Sequence, residues 1–290
     1  MKKKKKKNSL VIGTWNVRTL LPDGKFELLL DEIKDLNVNI IGLAETRWSG
    51  KGHFEQDGYY IIYSGGEKSG YGGVAIVLDA KTKKSILSED YISNRIVMVK
   101  IDTKPTKTTI IQVYAPTSKK EADEDTDQFY EDRQSVLSTI KDKDPLIILG
   151  DFNAKVGSIP QKDFGLGPFG MGNKNERGER LLTFCNTNKL TITNTQFMNH
   201  PRRKYTWISP KGERHQIDYI LINCKWMSSC LNSRAKPGAD HDTDHIYLEA
   251  KFRLKSFRCQ KSQLAVKHDI DKLNDANIKA QYTIETENKI

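Results

Sequence analysis

From residue 10 onward the chain alternates short apolar runs with polar, turn-rich segments, and only a few stretches carry the three-to-four spacing of a helix. Residues 10–15 read as a strand, after which Phe26, Leu29, Leu30, Ile33 and Leu36 mark one face of a helix, and residues 40–44 form the next strand. Residues 59–63 and 74–78 flank a loop carrying Gly65, Gly66, Gly70, Gly72 and Gly73, a pattern that predicts a long hairpin. A second hairpin is predicted from residues 96–101 and 109–114 around Lys104-Pro105. Phe129, Arg133, Val136, Leu137 and Ile140 line one side of an acidic helical segment that leads into a buried strand at 146–149.

Residues 157–172, with Gly165, Gly167, Pro168 and Gly170, are too long for a simple connection and form a candidate functional loop. A helix at 179–189 and strands at 190–194, 205–208, 217–222 and 246–254 complete the body, with a turn at Pro210-Lys211-Gly212. Strands joined mostly by hairpins favour two packed sheets with helices outside over a doubly wound parallel sheet. The domain reading is a basic disordered tail over 1–9, one domain over 10–254, and a polar linker or helical extension over 255–290.

Charge changes this picture less than its total suggests. The 290-residue chain carries a net +10, but residues 2–7 are all lysine, which leaves 41 basic against 37 acidic residues, a body of only +4. That balance permits a phosphate-bearing partner without requiring one. The lysine run reads as a nuclear address, a non-specific DNA tether or a solvated tail. No apolar run approaches the roughly 18 residues of a membrane span. The basic start is followed by Asn8 and Ser9 instead of an apolar segment, so it is no secretory signal. The nucleus is the expected location, with the cytoplasm as the alternative, and a monomer without membrane attachment is expected. Cys185, Cys224, Cys230 and Cys259 have neither Cys-x-x-Cys nor zinc-finger spacing and read as reduced thiols.

The chemistry is concentrated where strands end. The runs before Asn16, Glu45 and Asp151 each deliver a polar residue at the end of a strand, and Asp218 and Asp244-His245 stand at the starts of later ones. A single carboxylate at a strand end is ordinarily a solvated terminus. Several converging hard oxygen donors suit Mg²⁺, with Mn²⁺ as a substitute, and a histidine oriented by a carboxylate handles protons or phosphate charge. Metal-assisted phosphodiester hydrolysis is the reaction these groups fit.

Trp15-Asn16-Val17-Arg18, Glu45-Thr46, Tyr114-Ala115-Pro116, Gly150-Asp151-Phe152-Asn153, Tyr205-Thr206-Trp207, Gln216-Ile217-Asp218-Tyr219 and Thr243-Asp244-His245 occur in the order seen in the endonuclease/exonuclease/phosphatase superfamily, which the chain resembles. The longer stretches at 13–20, 150–157, 175–182 and 234–240 resemble the endonuclease domain of RTE/BovB-type non-LTR retrotransposons and the craniofacial development protein 2-like proteins. The resemblance implies an α/β fold like that of deoxyribonuclease I, a four-layered sandwich of two packed mixed β-sheets flanked by helices. It also implies a metal-dependent endonuclease that nicks DNA.

By that resemblance Glu45 is the principal metal ligand, with Asn16 beside it and Asp244 as a further ligand or orienting carboxylate. His245 faces the scissile phosphate with Asp218 as its partner. Asp151 and Asn153 position water and a phosphate oxygen, and Tyr114 donates to the phosphate or leaving group. Arg18, Thr206 and Trp207 contact nucleic acid. Thr243 stands where the superfamily usually has serine, which keeps the hydroxyl. The alternatives are a host-derived remnant that binds nucleic acid or protein without cutting, and a phosphatase or RNase of the same superfamily.

Overall fold

The central strands are continuous apolar runs because both their faces are covered. The computed structural model describes residues 9–117, 143–158 and 165–256. In chain order its strands are β1 (Leu10–Asn16), β2 (Ile40–Ala44), β3 (Lys51–Gln56), β4 (Tyr59–Ser64), β5 (Val74–Leu78), β6 (Ile86–Ser93), β7 (Ile96–Ile101), β8 (Thr103–Lys104), β9 (Thr108–Tyr114), β10 (Leu146–Asp151), β11 (Leu190–Ile192), β12 (Trp207–Ile208), β13 (Arg214–His215), β14 (Asp218–Asn223), β15 (Cys230–Ala235), β16 (Leu248–Phe252) and β17 (Lys255–Ser256). The described helices are α1 (Lys25–Leu36), the single turn α2 (Ala80–Lys83) and α3 (Glu176–Thr187), apart from short 3-10 turns.

Seven strands form one sheet in the order β15-β16-β1-β2-β5-β4-β3, and six form a second in the order β11-β14-β10-β9-β7-β6. Within each sheet one central pair is parallel, β1 with β2 and β9 with β10, and the other neighbours are antiparallel. Side chains alternate between faces with a period of two, which assigns each to a layer. Ile147 and Leu149 of β10 join Ile12, Ile40, Ile76, Ile110 and Ile220 between the sheets. Leu146 and Ile148 point the other way, under Leu181, Leu182 and Phe184 of α3. On the far side, Phe26, Leu29, Leu30 and Ile33 of α1 cover Ile41, Leu43, Ala75 and Val77. Helix, sheet, sheet and helix are therefore the four layers expected, with two mixed sheets and the deoxyribonuclease I-like arrangement.

The differences from the sequence reading fall at edges and ends. β3, β6 and β15, which the pattern misses, are the outermost strands of their sheets, and their burial alternates or is partial. α3 begins at Glu176 instead of 179, because Asn175 caps it by accepting a hydrogen bond from the Gly178 amide. The strand predicted at 190–194 stops at Ile192, where Thr193 turns away and donates to the Ile220 carbonyl. The strand at 205–208 shortens to Trp207–Ile208, and the turn at 210–212 closes its hairpin onto β13. Cys185 and Cys230 are buried. No described helix is long and apolar enough to cross a membrane. The lysine run, the helical segment at 129–140, the middle of the glycine-rich loop (159–164) and residues 257–290 lie outside the described residues.

Candidate active site

Parallel pairing brings chain ends together. β1 and β2 run side by side, so Asn16 and Glu45 leave the first sheet at one rim. β9 and β10 do the same for Tyr114 and Asp151 in the second sheet, where Asp151 is in register with Tyr114 on one side and Asp218 on the other. The two rims meet through Asn16, whose Nδ2 donates to Glu45 Oε1 at 2.8 Å and to Asp151 Oδ2 at 3.0 Å. Asn16 Oδ1 accepts from the Arg18 backbone at 2.9 Å. In this geometry the Asn16 amide nitrogen aligns the two carboxylates while its oxygen is turned to the Arg18 backbone.

His245 completes the group. Its Nδ1 lies 3.0 Å from Asp218 Oδ2, and its Nε2 is 3.9 Å from Asp151 Oδ2. Ligand atoms of Asp151, Asp218 and His245 all lie within 4.8 Å of one another, and all three residues are buried. Burial and the charge of Asp218 push the Asp151 carboxyl above the usual carboxylate range, against the lowering influence of His245. Burial works to lower His245, but Asp218, through charge and hydrogen bond, and then Asp151 outweigh it and raise the imidazole. Burial and the charge of Glu45 raise the Tyr114 phenol, so it stays a proton donor at neutral pH.

The backbone at this rim is under local strain. Arg18, Glu45 and Asn153 have φ of 59°, 57° and 47°, a left-handed conformation that side-chain-bearing residues seldom adopt. Surrounding bonds hold it: the Asn153 amide donates to Asp151 Oδ1 at 2.9 Å, and Asn153 Nδ2 donates to the Ala115 carbonyl at 2.8 Å.

Around these residues opens a cleft of about 430 Å³ lined by Arg18, Glu45, Asp151, Asn153, Trp207, Asp244 and His245, among others. Trp207 Nε1 donates to Asp244 Oδ2 at 2.9 Å, and Arg18 Nε lies 3.6 Å from Asp244 Oδ1. Thr206 stands apart from this surface. It is fully buried, and its hydroxyl accepts the backbone N–H groups of Ile217 at 3.1 Å and Asp218 at 3.0 Å. Its side chain therefore fixes the start of β14 and cannot reach a nucleic acid. Thr243, the departure from the superfamily pattern, donates to the Asn16 carbonyl at 2.8 Å and ties the His245 segment to β1.

The donor chemistry fits a hard divalent cation. Glu45, Asp151 and Asp244 present carboxylates to one cleft, and among the described residues the buried Asp244 Oδ1 has no hydrogen-bond partner, with Arg18 Nε 3.6 Å away as an ion pair. The sequence reading missed Arg47, which lies 3.6 Å from Glu45 Oε2, and the cleft-lining Lys155, Asn175 and Arg177. The last three fall inside the stretches 150–157 and 175–182, whose resemblance was the available signal.

Comparison with known proteins agrees with this architecture. The model of the Endonuclease/Exonuclease/phosphatase family matches residues 13–241. Craniofacial development protein 2 of Bos taurus is 43% identical over 251 residues, which are 86% of this chain and 42% of the relative. The chain thus spans less than half the length of that relative. Among solved structures, the Xenopus laevis APE2 catalytic domain superposes with a TM-score of 0.67 at 20% identity, covering 87% of this chain and 94% of that one. The endonuclease domain of TRAS1, a telomere-specific non-LTR retrotransposon, gives 0.60 at 17% identity, covering 84% and 98%. With a family match spanning most of the chain and the same two-sheet fold, this chain belongs to the endonuclease/exonuclease/phosphatase family.

Proposed function

We propose that the chain is a Mg²⁺-dependent endonuclease that nicks DNA, in the manner of a retrotransposon endonuclease domain, with Mn²⁺ able to substitute. The observation that carries this reading is the single Asn16 amide joining Glu45 to Asp151, with His245 Nε2 3.9 Å from the same Asp151 oxygen. Glu45, with Asp244 nearby, would hold the cation, which when bound polarises a phosphoryl oxygen and neutralises charge on the leaving oxygen.

The chain's own groups divide the remaining work. Asp218 accepts a hydrogen bond from the Nδ1–H of His245, which fixes the ring and leaves Nε2–H to meet a phosphate oxygen. Its two carboxylate neighbours keep the imidazole cationic, matching the charge that builds in the transition state. Asp151, held by Asn16 and Asn153, takes a proton from the attacking water. As the bond from water oxygen to phosphorus forms and a bridging P–O bond breaks, Tyr114 supplies a proton at the leaving side. Arg18 and Trp207, at the mouth of the cleft, face the nucleic acid. A monomer acting in the nucleus is part of the same reading.

The test is relaxation of supercoiled plasmid with Mg²⁺, repeated with chelator and with Glu45→Ala. Nicking that needs the metal and Glu45 is the expected result. Wild-type protein that binds duplex DNA without nicking it overturns this reading in favour of a non-cutting binder.

A further inference from the structure

One wall of the cleft carries positive charge that the proposed chemistry does not use. Lys155 follows Asn153 by two residues, and its backbone is pinned twice by Asn175: its N–H donates to Asn175 Oδ1 at 3.0 Å and its carbonyl accepts the Asn175 N–H at 3.0 Å. Held so, Lys155 Nζ reaches to 3.4 Å from His215 Nε2. The His215 ring stacks on Trp207 at 5.5 Å and 27°, and the Trp207 ring lies 6.3 Å from His245. Lys155 is thus linked to His245 through the His215 and Trp207 rings, and both residues line the same cleft.

Arg177 is the second cation of this wall. Its guanidinium donates to the Pro116 carbonyl and, at 2.8 Å, to the Thr117 carbonyl, just beyond the Ala115 carbonyl that Asn153 holds. Both cations line the same cleft as Asp151 and His245. Among the described residues neither has a carboxylate within salt-bridge distance, whereas Arg18, which also lines the cleft, is paired with Asp244, and Arg47 is paired with Glu45. A half-buried, unpaired cation held in place by backbone bonds is arranged to receive an anion.

We infer that Lys155 and Arg177 form a second phosphate subsite, which takes a phosphodiester next to the scissile one on the cleaved DNA strand. This rests on the DNA-cleaving reading above and adds to it that a polynucleotide, with more than one phosphate, is the substrate class. Lys155 is a point charge on a fixed stem. Arg177 also steadies the segment after β9, so it combines a phosphate contact with a positioning role.

The experiment is anisotropy of a fluorescent DNA duplex with the full chain in chelator, titrated with salt. Removing one lysine or arginine that neutralises a phosphate lowers the slope of log affinity against log salt by up to about 0.9. Lys155→Ala is expected to weaken binding and flatten the slope by about that much, and Lys155→Arg to restore both. Arg177→Gln is expected to flatten the slope likewise, while Lys34→Ala, at the end of α1 away from the rim, leaves it unchanged. Because Arg177→Gln also loosens the 116–117 backbone, Lys155 decides the outcome. An unchanged slope in Lys155→Ala overturns the subsite whatever the nicking assay shows. A slope change on an RNA duplex with none on DNA overturns its assignment to DNA. A flattened slope in a protein that never nicks supports the subsite and rejects the cleavage reading alone.

Discussion

Asp151 and Asp218 are register partners across the antiparallel pair β10 and β14, so the strand pairing itself sets two buried carboxylates side by side. Two such groups repel in a low-dielectric setting, and His245, within reach of both, offsets the repulsion as a cation. Asp218→Asn removes the charge and retains a hydrogen-bonding oxygen. Nicking should fall by about 100-fold or more, the scale of a positioned proton-transfer group. Plasmid relaxation rates measure it; a change under about threefold contradicts the assigned role.

Glu45→Ala and His245→Ala should each lower nicking by at least about 100-fold. Neither side chain fills a core position between the sheets, so circular dichroism should stay close to wild type for both. The melting temperature should hold for Glu45→Ala and fall for His245→Ala, which leaves the buried Asp151 and Asp218 without their cation. A large drop for Glu45→Ala would assign that residue to stability instead.

Thr206 acts through Asp218. Thr206→Val keeps the shape and leaves the Ile217 and Asp218 N–H groups without their acceptor. Each buried donor left unmade costs about 1–3 kcal/mol, so chemical denaturation should show a loss of about 2 kcal/mol or more. Thr206→Ser should recover most of it. A Val variant as stable as wild type would show that these amides find another partner.

Gly150 precedes Asp151 with φ of 149°, and a Cβ there would collide with the Val113 carbonyl oxygen. Gly150→Ala must push β10 away from β9. The expected loss is about 2 kcal/mol or more, accompanied by reduced nicking as Asp151 shifts. Urea unfolding checks the first and plasmid relaxation the second.

His241 titrates against folding. Its ring packs edge-on to Trp15 at 5.5 Å, and burial, with the charge of Lys25, lowers its pKa to about 4. The unfolded chain takes a proton near pH 6.5 that the folded one refuses. Stability should therefore fall as pH drops from about 6.5 toward about 4 and change little above that window. Urea midpoints of wild type and His241→Gln should converge or cross as pH falls through it. Parallel curves would show that the imidazole protonates freely in the fold.

The sequence alone determined the central strands, the two helices against the sheets and the polar residues that end β1, β2 and β10, because continuous apolar runs, helical spacing and strand ends are written in neighbouring residues. Asn16, Glu45, Asp151, Asp218 and His245 were legible as candidates for that reason. The edge strands β3, β6 and β15 were not, since a strand half open to solvent lacks the continuous apolar run that marks a buried one. Only the tertiary structure decided which atoms meet. Asn16 and Asp151 are 135 positions apart, and no local pattern states that the amide nitrogen, rather than the oxygen, turns toward the carboxylates. Nor does any local pattern bury Thr206 under β14 or bring Lys155 to His215 across 60 residues. Those relations depend on strand register and on how the sheets and loops pack around the rim, which long-range burial selects and neighbouring residues do not encode.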